Sequence, residues 1–197
     1  MSRETGEGVA AANATESVRG GLPADLPAPS LLVVAGSHAY GTERPDSDTD
    51  YRGIFTTRTE LVWSLTPPPD TFERSSPDVV MFEVEKYMRL ALAGNPNALE
   101  FLWCPRLEYD IVGGMLIAHR ALFLSRRVLR TYGGYAMQQL RKAHAGTGGS
   151  RGAGHMKREK FILHLLRLLE QGTGTLETGD LTIRVSDPDR LREMGTW

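Results

Sequence analysis

The segment that decides the fold is residues 36–50, which read GSHAYGTERPDSDTD. It lies between two strand-like runs, residues 31–35 (LLVVA) and 51–55 (YRGIF). The pattern predicts that one strand ends in Gly-Ser and that the next opens with Asp48 and Asp50 at alternate positions. Side chains at i and i+2 of a strand share a face about 6.5 Å apart, which two divalent ions about 3.5–4 Å apart can bridge. With backbone N–H groups of the Gly-Ser turn free to hold triphosphate oxygens, the segment predicts phosphoryl chemistry on a nucleotide.

Other sites with similar residues are excluded by spacing. A calcium loop that began at Asp46 would need Gly at its sixth position and Glu at its twelfth, where the chain has Tyr51 and Thr57. The chain contains no Gly-Lys-Ser/Thr triplet, and Gly36 and Gly41 lack the third glycine of a dinucleotide-binding fingerprint. The structural alternative is that Asp46-Ser47-Asp48 forms only a polar turn before a strand.

Composition restricts the class of protein. The chain has 197 residues, of which 41% are hydrophobic, and this suffices for one core domain with a small helical appendage. Its net charge of −1 gives no global basic field, so contact with a polynucleotide requires a local patch. The single cysteine, Cys104, excludes an internal disulfide. No apolar run approaches the length of a membrane span, and we expect a cytoplasmic protein with no membrane partner. Nothing in the sequence indicates the oligomeric state.

The first 110 residues predict a tail followed by a strand-containing core. Residues 1–28 are rich in Ala, Gly, Ser, Glu and Pro, so we expect a disordered tail with a short helix near residues 10–18. Residues 78–83 have the composition of a strand. The next apolar spacing predicts a helix over residues 84–93, ended by Gly94, and Asn95 and Pro96 are expected to begin another helix. We predict a catalytic core over residues 29–110.

The rest of the chain, residues 111–197, is predicted to be a helical C-terminal region. Residues 111–144 have a mainly helical pattern with a break around residues 132–134, and residues 145–154 have the composition of a flexible linker. An amphipathic helix is expected over residues 155–171 and a short strand over residues 181–185. The order of elements predicts an α+β fold, in which a small mixed sheet with helices precedes the helical part.

The quoted segment resembles the active-site signature of the DNA polymerase beta-like nucleotidyltransferase superfamily, in which Gly-Ser, a spacer and Asp-x-Asp follow one another. The longer segment, residues 36–55, which includes the YRGIF that follows, is closer to the RNA-repair-associated (RNA-ligase-associated) branch. Two more stretches are similar to that branch: residues 83–100, which end in GNPNALE, and residues 160–168, KFILHLLRL. The resemblance covers roughly residues 30–195 and implies the polymerase beta-like nucleotidyltransferase core.

The resemblance implies a catalytic trio of carboxylates that holds two Mg²⁺ (or Mn²⁺) ions. Asp48 and Asp50 match the first two positions. Glu83 matches the third best, and Asp78 and Glu85 are alternatives. Because acids are favoured in the first turn of a helix, a structural capping role for Glu83 is equally open.

The resemblance also implies nucleotide-binding residues. Gly36 and Ser37 would hold phosphate oxygens, and Arg52 would either contact the phosphates or pair with the Asp cluster. Three residues at i, i+4 and i+7 of the predicted C-terminal helix would face the nucleotide: Lys160, His164 and Arg167. A solvated basic face is the structural alternative for these three. Glu100, within an apolar run, faces either the site or an Arg partner.

The sequence is compatible with three functions. The first is metal-dependent transfer of a nucleoside monophosphate from an NTP, with ATP as one candidate, to an acceptor hydroxyl, with RNA indicated by the branch. The second is the same chemistry on a protein or small-molecule acceptor. The third is a non-catalytic nucleotide- or RNA-binding module.

Overall fold

The fold is built around a five-stranded mixed sheet. In the computed structural model, which describes residues 12–145 and 153–195, the strands lie in the order β3-β4-β2-β1-β5. Their bounds are β1 Pro29–Ala35, β2 Asp50–Phe55, β3 Thr71–Ser75, β4 Asp78–Glu83 and β5 Arg106–Tyr109. β1 pairs antiparallel with β2 and β5, β3 pairs antiparallel with β4, and β2 and β4 are parallel.

Helices surround this sheet in the described residues. Residues 12–19 form α1. The other α-helices are α2 Gly36–Tyr40, α3 Thr59–Val62, α4 Val84–Leu92, α5 Pro96–Leu99, α6 Ile111–Ala118, α7 Arg126–Ala145, α8 Ala153–Thr178 and α9 Pro188–Gly195. Short 3-10 turns cover Glu100–Leu102 and Arg120–Phe123. None of these helices has both the length and the apolar character that crossing a membrane requires.

Local sequence explains several of these elements. Asn95 caps α5, because its side-chain oxygen accepts a hydrogen bond from the Asn97 N–H at 3.0 Å, and Pro96 follows at the first helical position. Gly94, just after α4, has φ +74°, in the left-handed region that favours glycine. These features of α4 and α5, and the strand at Asp78–Glu83, confirm the sequence predictions for this part of the chain.

The two faces of the sheet bury different partners. Alternate residues of β1 separate onto them: Leu31 and Val33 pack with α4 to α8, whereas Leu32 packs on the other face with Phe55 and Met81. Val18 of α1 is fully buried in this second cluster. Residues 12–28 are therefore not the tail that their composition predicts, because their few apolar side chains cover an otherwise exposed sheet face. Residues 1–11 lie outside the described residues.

Several predicted boundaries differ from the structure. α7 is continuous through residues 132–134, so the predicted break is wrong: Gly133 and Gly134 tolerate helical geometry. The predicted strand at residues 181–185 is absent from the described part, although the alternate side chains of Leu181, Ile183 and Val185 are buried. The structure also contains two strands that the sequence patterns do not predict, β3 and β5. Residues 146–152 of the predicted linker lie outside the described residues. The five strands fall within residues 29–109, which confirms the α+β class, whereas the boundary between core and helical region stays a prediction.

Candidate active site

Two carboxylates meet where neighbouring parallel strands begin. Asp50 is the first residue of β2 and Asp78 is the first residue of β4. The register places Tyr51 opposite Val79, so the two aspartates lie side by side at the same end of the sheet. Their carboxyl groups are in hydrogen-bond contact. This pair forms one wall of a cleft of about 1620 Å³.

Arg52 holds this pair from the same strand face. Its Nη1 donates to Asp78 Oδ1 at 3.1 Å and its Nη2 donates to Asp78 Oδ2 at 3.4 Å. Nη2 also lies 3.9 Å from Asp50 Oδ1. Of the two roles that the sequence left open for Arg52, the structure shows the pairing with the Asp cluster.

The two carboxyl groups have opposite pKa shifts. Burial, the hydrogen bond to Asp78 and the nearby Asp78 charge raise the pKa of Asp50, against the attraction of Arg52 and Lys160. Burial would raise the pKa of Asp78 as well, but its hydrogen bonds with Arg52 and Asp50 and the Arg52 charge outweigh burial and lower it. Of the two carboxyl groups, Asp50 is therefore the one that binds a proton more readily.

Gly36 is required next to Asp50. The β1–β2 register places Asp50 opposite Ala35, so the following residue passes beside the carboxylate. Gly36 has φ +63°, and a Cβ on it would lie 1.7 Å from Asp50 Oδ2. The Gly-Ser segment begins the five-residue helix α2 rather than an open turn, and Gly36 and Ser37 both line the cleft.

Asp48 does not lie on a strand. β2 begins at Asp50, and Asp48 is an exposed residue of the preceding loop. The carbonyl oxygen of Ser47, in the same loop, lies 3.3 Å from His38 Nε2 of α2. The prediction that Asp48 and Asp50 project side by side from one strand face is therefore wrong. The pairing of β1 with β2 ends at Asp50, so β2 does not extend to residue 48. Asp48 still lines the cleft.

Glu83 lies away from the carboxylate pair. It is the last residue of β4, five positions from Asp78, which corresponds to about 17 Å along a strand. Its carboxylate caps α4 by accepting a hydrogen bond from the Glu85 N–H at 2.6 Å. Glu83 and Glu85 are absent from the residues that line the cleft, whereas Asp78 is among them. The structure thus favours Asp78, an alternative from the sequence, as partner of Asp50.

The opposite wall of the cleft comes from α8. Lys160 is exposed there, and its charge acts on Asp50. His164, one turn on, is half-buried, and its Nε2 has no hydrogen-bond partner in the described part of the chain. Burial, followed by the charges of Arg167, Lys142 and Lys160, lowers the pKa of His164 to about 4. The imidazole is therefore neutral at pH 7, and it borders the cleft with a buried nitrogen that has no hydrogen-bond partner in the described residues.

Arg167 lies deeper and is buried. Its guanidinium forms a buried ion pair with Glu100, donates to Gln171 Oε1 at 2.9 Å and stacks 3.8 Å from the Tyr40 ring centroid. The Tyr40 hydroxyl donates to Glu100 Oε2 at 2.6 Å. Arg167 therefore has a structural role, but it also lines the cleft, and its contact with the nucleotide stays a prediction. We call Tyr40, Glu100, Arg167 and Gln171 the buried network.

Sequence reasoning missed that this network ties α8 to the Gly-Ser segment. Tyr40 ends α2, so Arg167 and Glu100 fix the far end of the short helix that begins at Gly36. A signal existed: Glu100 and Arg167 are each an isolated charge within an apolar run, and such charges are buried only when paired. The Arg partner that the sequence left open for Glu100 is the one observed.

The donor set of the cleft suits a hard divalent cation in part. Asp50 and Asp78 supply carboxylate oxygens, with Asp48 on the adjacent loop, and such ligands match Mg²⁺ or Mn²⁺. Across residues 12–145 and 153–195, however, no three His, Cys, Asp or Glu side chains are grouped closely enough to hold a metal. A cation would fit beside Asp50 and Asp78, because it would relieve the repulsion between two adjacent carboxylates.

Comparison with known proteins decides the family. The profile described as the RNA repair pathway DNA polymerase beta family matches residues 30–186. The chain belongs to this family. The match spans all but the first residue of the sheet, nearly all of the residues that line the cleft and the whole of α8, and it confirms the resemblance found in the sequence. As a member of the RNA repair pathway DNA polymerase beta family, the chain has a polymerase beta-like nucleotidyltransferase fold.

Two other comparisons add little. No curated protein sequence matches the chain. A solved structure, that of a nucleotidyltransferase-like protein from Exiguobacterium sibiricum 255-15, is similar with a TM-score of 0.33 and 12% identity over 94% of this chain. The chain spans only 62% of the length of that protein.

Proposed function

We propose that this protein transfers a nucleoside monophosphate from an NTP to an acceptor hydroxyl, with RNA as the acceptor. The observation that carries the proposal is the Asp50–Asp78 pair, placed by the β2–β4 register beside Gly36 in a wide cleft. Family membership supports the nucleotidyl chemistry and the connection with RNA repair.

The residues of the two walls suggest how an NTP would be held. Ser37 and the backbone N–H groups after Gly36 would bind β- or γ-phosphate oxygens. Lys160, on the opposite wall, would add a positive charge, and neutral His164 would contribute a hydrogen bond through its unpartnered Nε2. Arg167 would act indirectly, because it stabilises the far end of α2 through Tyr40 and Glu100.

Asp50 and Asp78, with Asp48 from the loop, would hold two Mg²⁺ (or Mn²⁺) ions. Such ions, when bound, lower the pKa of an attacking hydroxyl and neutralise the charge on the triphosphate and on the leaving pyrophosphate. In the transfer, the acceptor oxygen bonds to the α-phosphorus, the bond from that phosphorus to the bridging oxygen breaks, and the hydroxyl proton leaves to solvent. A cation would bind the deprotonated carboxylates, so its binding would compete with protonation of Asp50, the pKa of which is raised.

The test is incubation with α-labelled NTPs and with RNA, protein and small-molecule acceptors in separate reactions. We expect label on RNA, and a loss of about 10⁴-fold in rate for the double variant Asp50→Asn with Asp78→Asn, because charge neutralisation by metals is worth several kcal/mol. MgCl₂ or MnCl₂ should raise the melting temperature of the wild type and not of the variant. Label confined to protein would defeat the RNA proposal, and equal turnover would defeat carboxylate-dependent catalysis.

One observation favours a second candidate, a non-catalytic nucleotide-binding module. In the described residues the acids form a pair held by Arg52 rather than a trio, and Asp48 lies in an exposed loop. Such a module would bind NTPs without releasing pyrophosphate. Calorimetric NTP binding without label transfer to any acceptor would select it.

A further inference from the structure

The charge of the chain is distributed very unevenly along its length. Residues 111–158 contain nine Lys or Arg residues and no Asp or Glu, although the whole chain has a net charge of −1. Within the described residues, five of these cations lie on α7 and all are exposed: Arg126, Arg127, Arg130, Arg141 and Lys142. A local basic surface of this kind attracts polyanions whatever the total charge.

The arginines form one face of α7. Arg126, Arg130 and Gly134 follow at i, i+4 and i+8, and Arg141 lies two turns beyond Gly134 on the same side. The buried residues of α7 lie on the opposite side: Val128, Tyr132, Ala136, Gln139 and Ala143. No ion pair with a carboxylate engages any of the five cations within the part of the chain that the structure describes. We call this exposed side, from Arg126 to Lys142, the basic face.

Two glycines interrupt the basic face at its centre. A glycine inside a helix is destabilising relative to alanine, so a mid-helix pair calls for a reason. Packing does not supply one, because a Cβ at Gly133 or Gly134 would meet no heavy atom within 4 Å. The pair leaves a strip without side chains between Arg130 and the exposed Met137, where a ligand backbone can approach the helix closely.

The basic face reaches the cleft at one end. Lys142 Nζ lies 5.9 Å from the centroid of the Phe161 ring of α8. The charge of Lys142 acts on His164, which lines the cleft together with Lys160. Cations therefore continue from the exposed side of α7 to the wall that faces Asp50.

We propose that the basic face binds the phosphate backbone of single-stranded RNA, which crosses the glycine strip and leads its end into the cleft. The inference rests on the proposed function in one respect, that the bound strand is the acceptor. An anionic membrane is disfavoured as the ligand, because a surface-bound helix must insert its apolar side into lipid, and the apolar side of α7 is packed in the core. The helix spans about 30 Å, enough for several phosphates.

The first experiment measures binding of a labelled, unstructured RNA to the full chain by fluorescence anisotropy at several salt concentrations. The variant R126Q/R130Q/R141Q is compared with R58Q/R89Q/R106Q, which removes three exposed arginines elsewhere. Each phosphate contact to single-stranded nucleic acid contributes about 0.7 to the salt slope. The first variant should therefore lose about 100-fold in affinity at 0.1 M salt and about 2 in slope, and the control should bind nearly as the wild type does.

The second experiment tests the path across the glycines with the neutral variant G133Q/G134Q. Glutamine favours the helix more than glycine and has open space here, so the melting temperature should rise. RNA affinity should nevertheless fall by about tenfold, because two side chains occupy the strip that the backbone approaches. A folded variant with unchanged affinity would overturn the proposed path.

The remaining outcomes are equally decisive. Equal losses in the two arginine variants would overturn the basic face as the binding surface, as would binding of anionic phosphatidylserine vesicles without binding of RNA. The RNA measurements are repeated with the Asp50→Asn/Asp78→Asn variant. If the wild type transfers no nucleotide but its RNA binding still depends on the three α7 arginines, the proposed function fails and the RNA surface stands.

Discussion

Two arginine–carboxylate clusters in this protein use the same residue types under opposite conditions. In the cleft, Arg52 bridges Asp50 and Asp78, and these side chains retain 23–41% exposure. In the buried network, the side chains of Arg167 and Glu100 are only 5% and 4% exposed. The comparison shows that burial, rather than residue type, decides whether a charge pair stabilises a fold or remains available to a ligand.

The two charges of the buried network are paired with each other. Removing two charges from water costs several kcal/mol per ion, and only complete pairing compensates for this. Glu100 accepts from Arg167 and from Tyr40, and Arg167 has Gln171 and the Tyr40 ring as further partners. Accordingly, burial and then the Glu100 charge raise the pKa of Tyr40 well above its usual value.

The cleft pair is left partly unsatisfied. When both acids are ionised, two carboxylates and one guanidinium leave a net negative charge. Burial and the neighbouring Asp78 raise the pKa of Asp50. A cation can remove that imbalance, whereas nothing in the buried network calls for one. The cleft is thus the one of the two clusters that is suited to binding.

The largest expected effect separates the clusters by stability. Arg167→Met should lower the free energy of unfolding by about 3–5 kcal/mol, because it leaves Glu100 buried without its partner. Arg52→Met should cost less than about 1 kcal/mol, as expected for a solvent-screened pair. Urea unfolding of both variants measures the difference.

A double variant sharpens this result. Arg167→Met combined with Glu100→Met should recover most of the lost stability, because no unpaired charge remains. If Arg52→Met proved as destabilising as Arg167→Met, the distinction between the two clusters would be wrong.

The next effect concerns the contact between Gly36 and Asp50. Gly36→Ala and Gly179→Ala both place a side chain at a positive φ, +63° and +73°, which costs roughly 1–2 kcal/mol in each case. Only the first variant also drives a Cβ into the Asp50 carboxylate, since Gly179 has no neighbour within 4 Å. Gly36→Ala should therefore lose about 100-fold more transfer activity than Gly179→Ala, as expected for a misplaced reacting group. Equal activities would show that the position of Asp50 is unimportant.

The smallest expected effect is the pH dependence of stability that His164, on the α8 wall of the cleft, contributes. The pKa of His164 is lowered from 6.5 to about 4 in the fold, so the unfolded chain binds a proton more readily. The stability that neutral His164 contributes is fully present above pH 6.5 and is lost as the pH falls towards 4. His164→Gln should therefore weaken the decline in melting temperature over this range.

The exposed His119 provides the matched control, and His119→Gln should leave that decline almost unchanged. An NMR titration of the imidazole protons gives the direct measurement. A His164 signal that titrates near pH 6.5 would contradict the burial of its ring beside three cations.

The sequence by itself determined the local elements of the site. The Gly-Ser segment between two strands, the strand at Asp78–Glu83 and the capped turn at Gly94 and Asn95 follow from propensity, turn chemistry and periodicity over a few neighbouring residues. The family was also evident there, because its motif lies in one short stretch.

Only the tertiary structure decided which of these elements meet. The β2–β4 register joins Asp50 to Asp78 rather than to Glu83, and the packing of α8 buries Arg167 against Glu100, 67 positions away in the chain. Residues 12–28 likewise become ordered only because an open sheet face accepts Val18. Strand register and long-range burial depend on the whole core, and no local window of sequence contains that information.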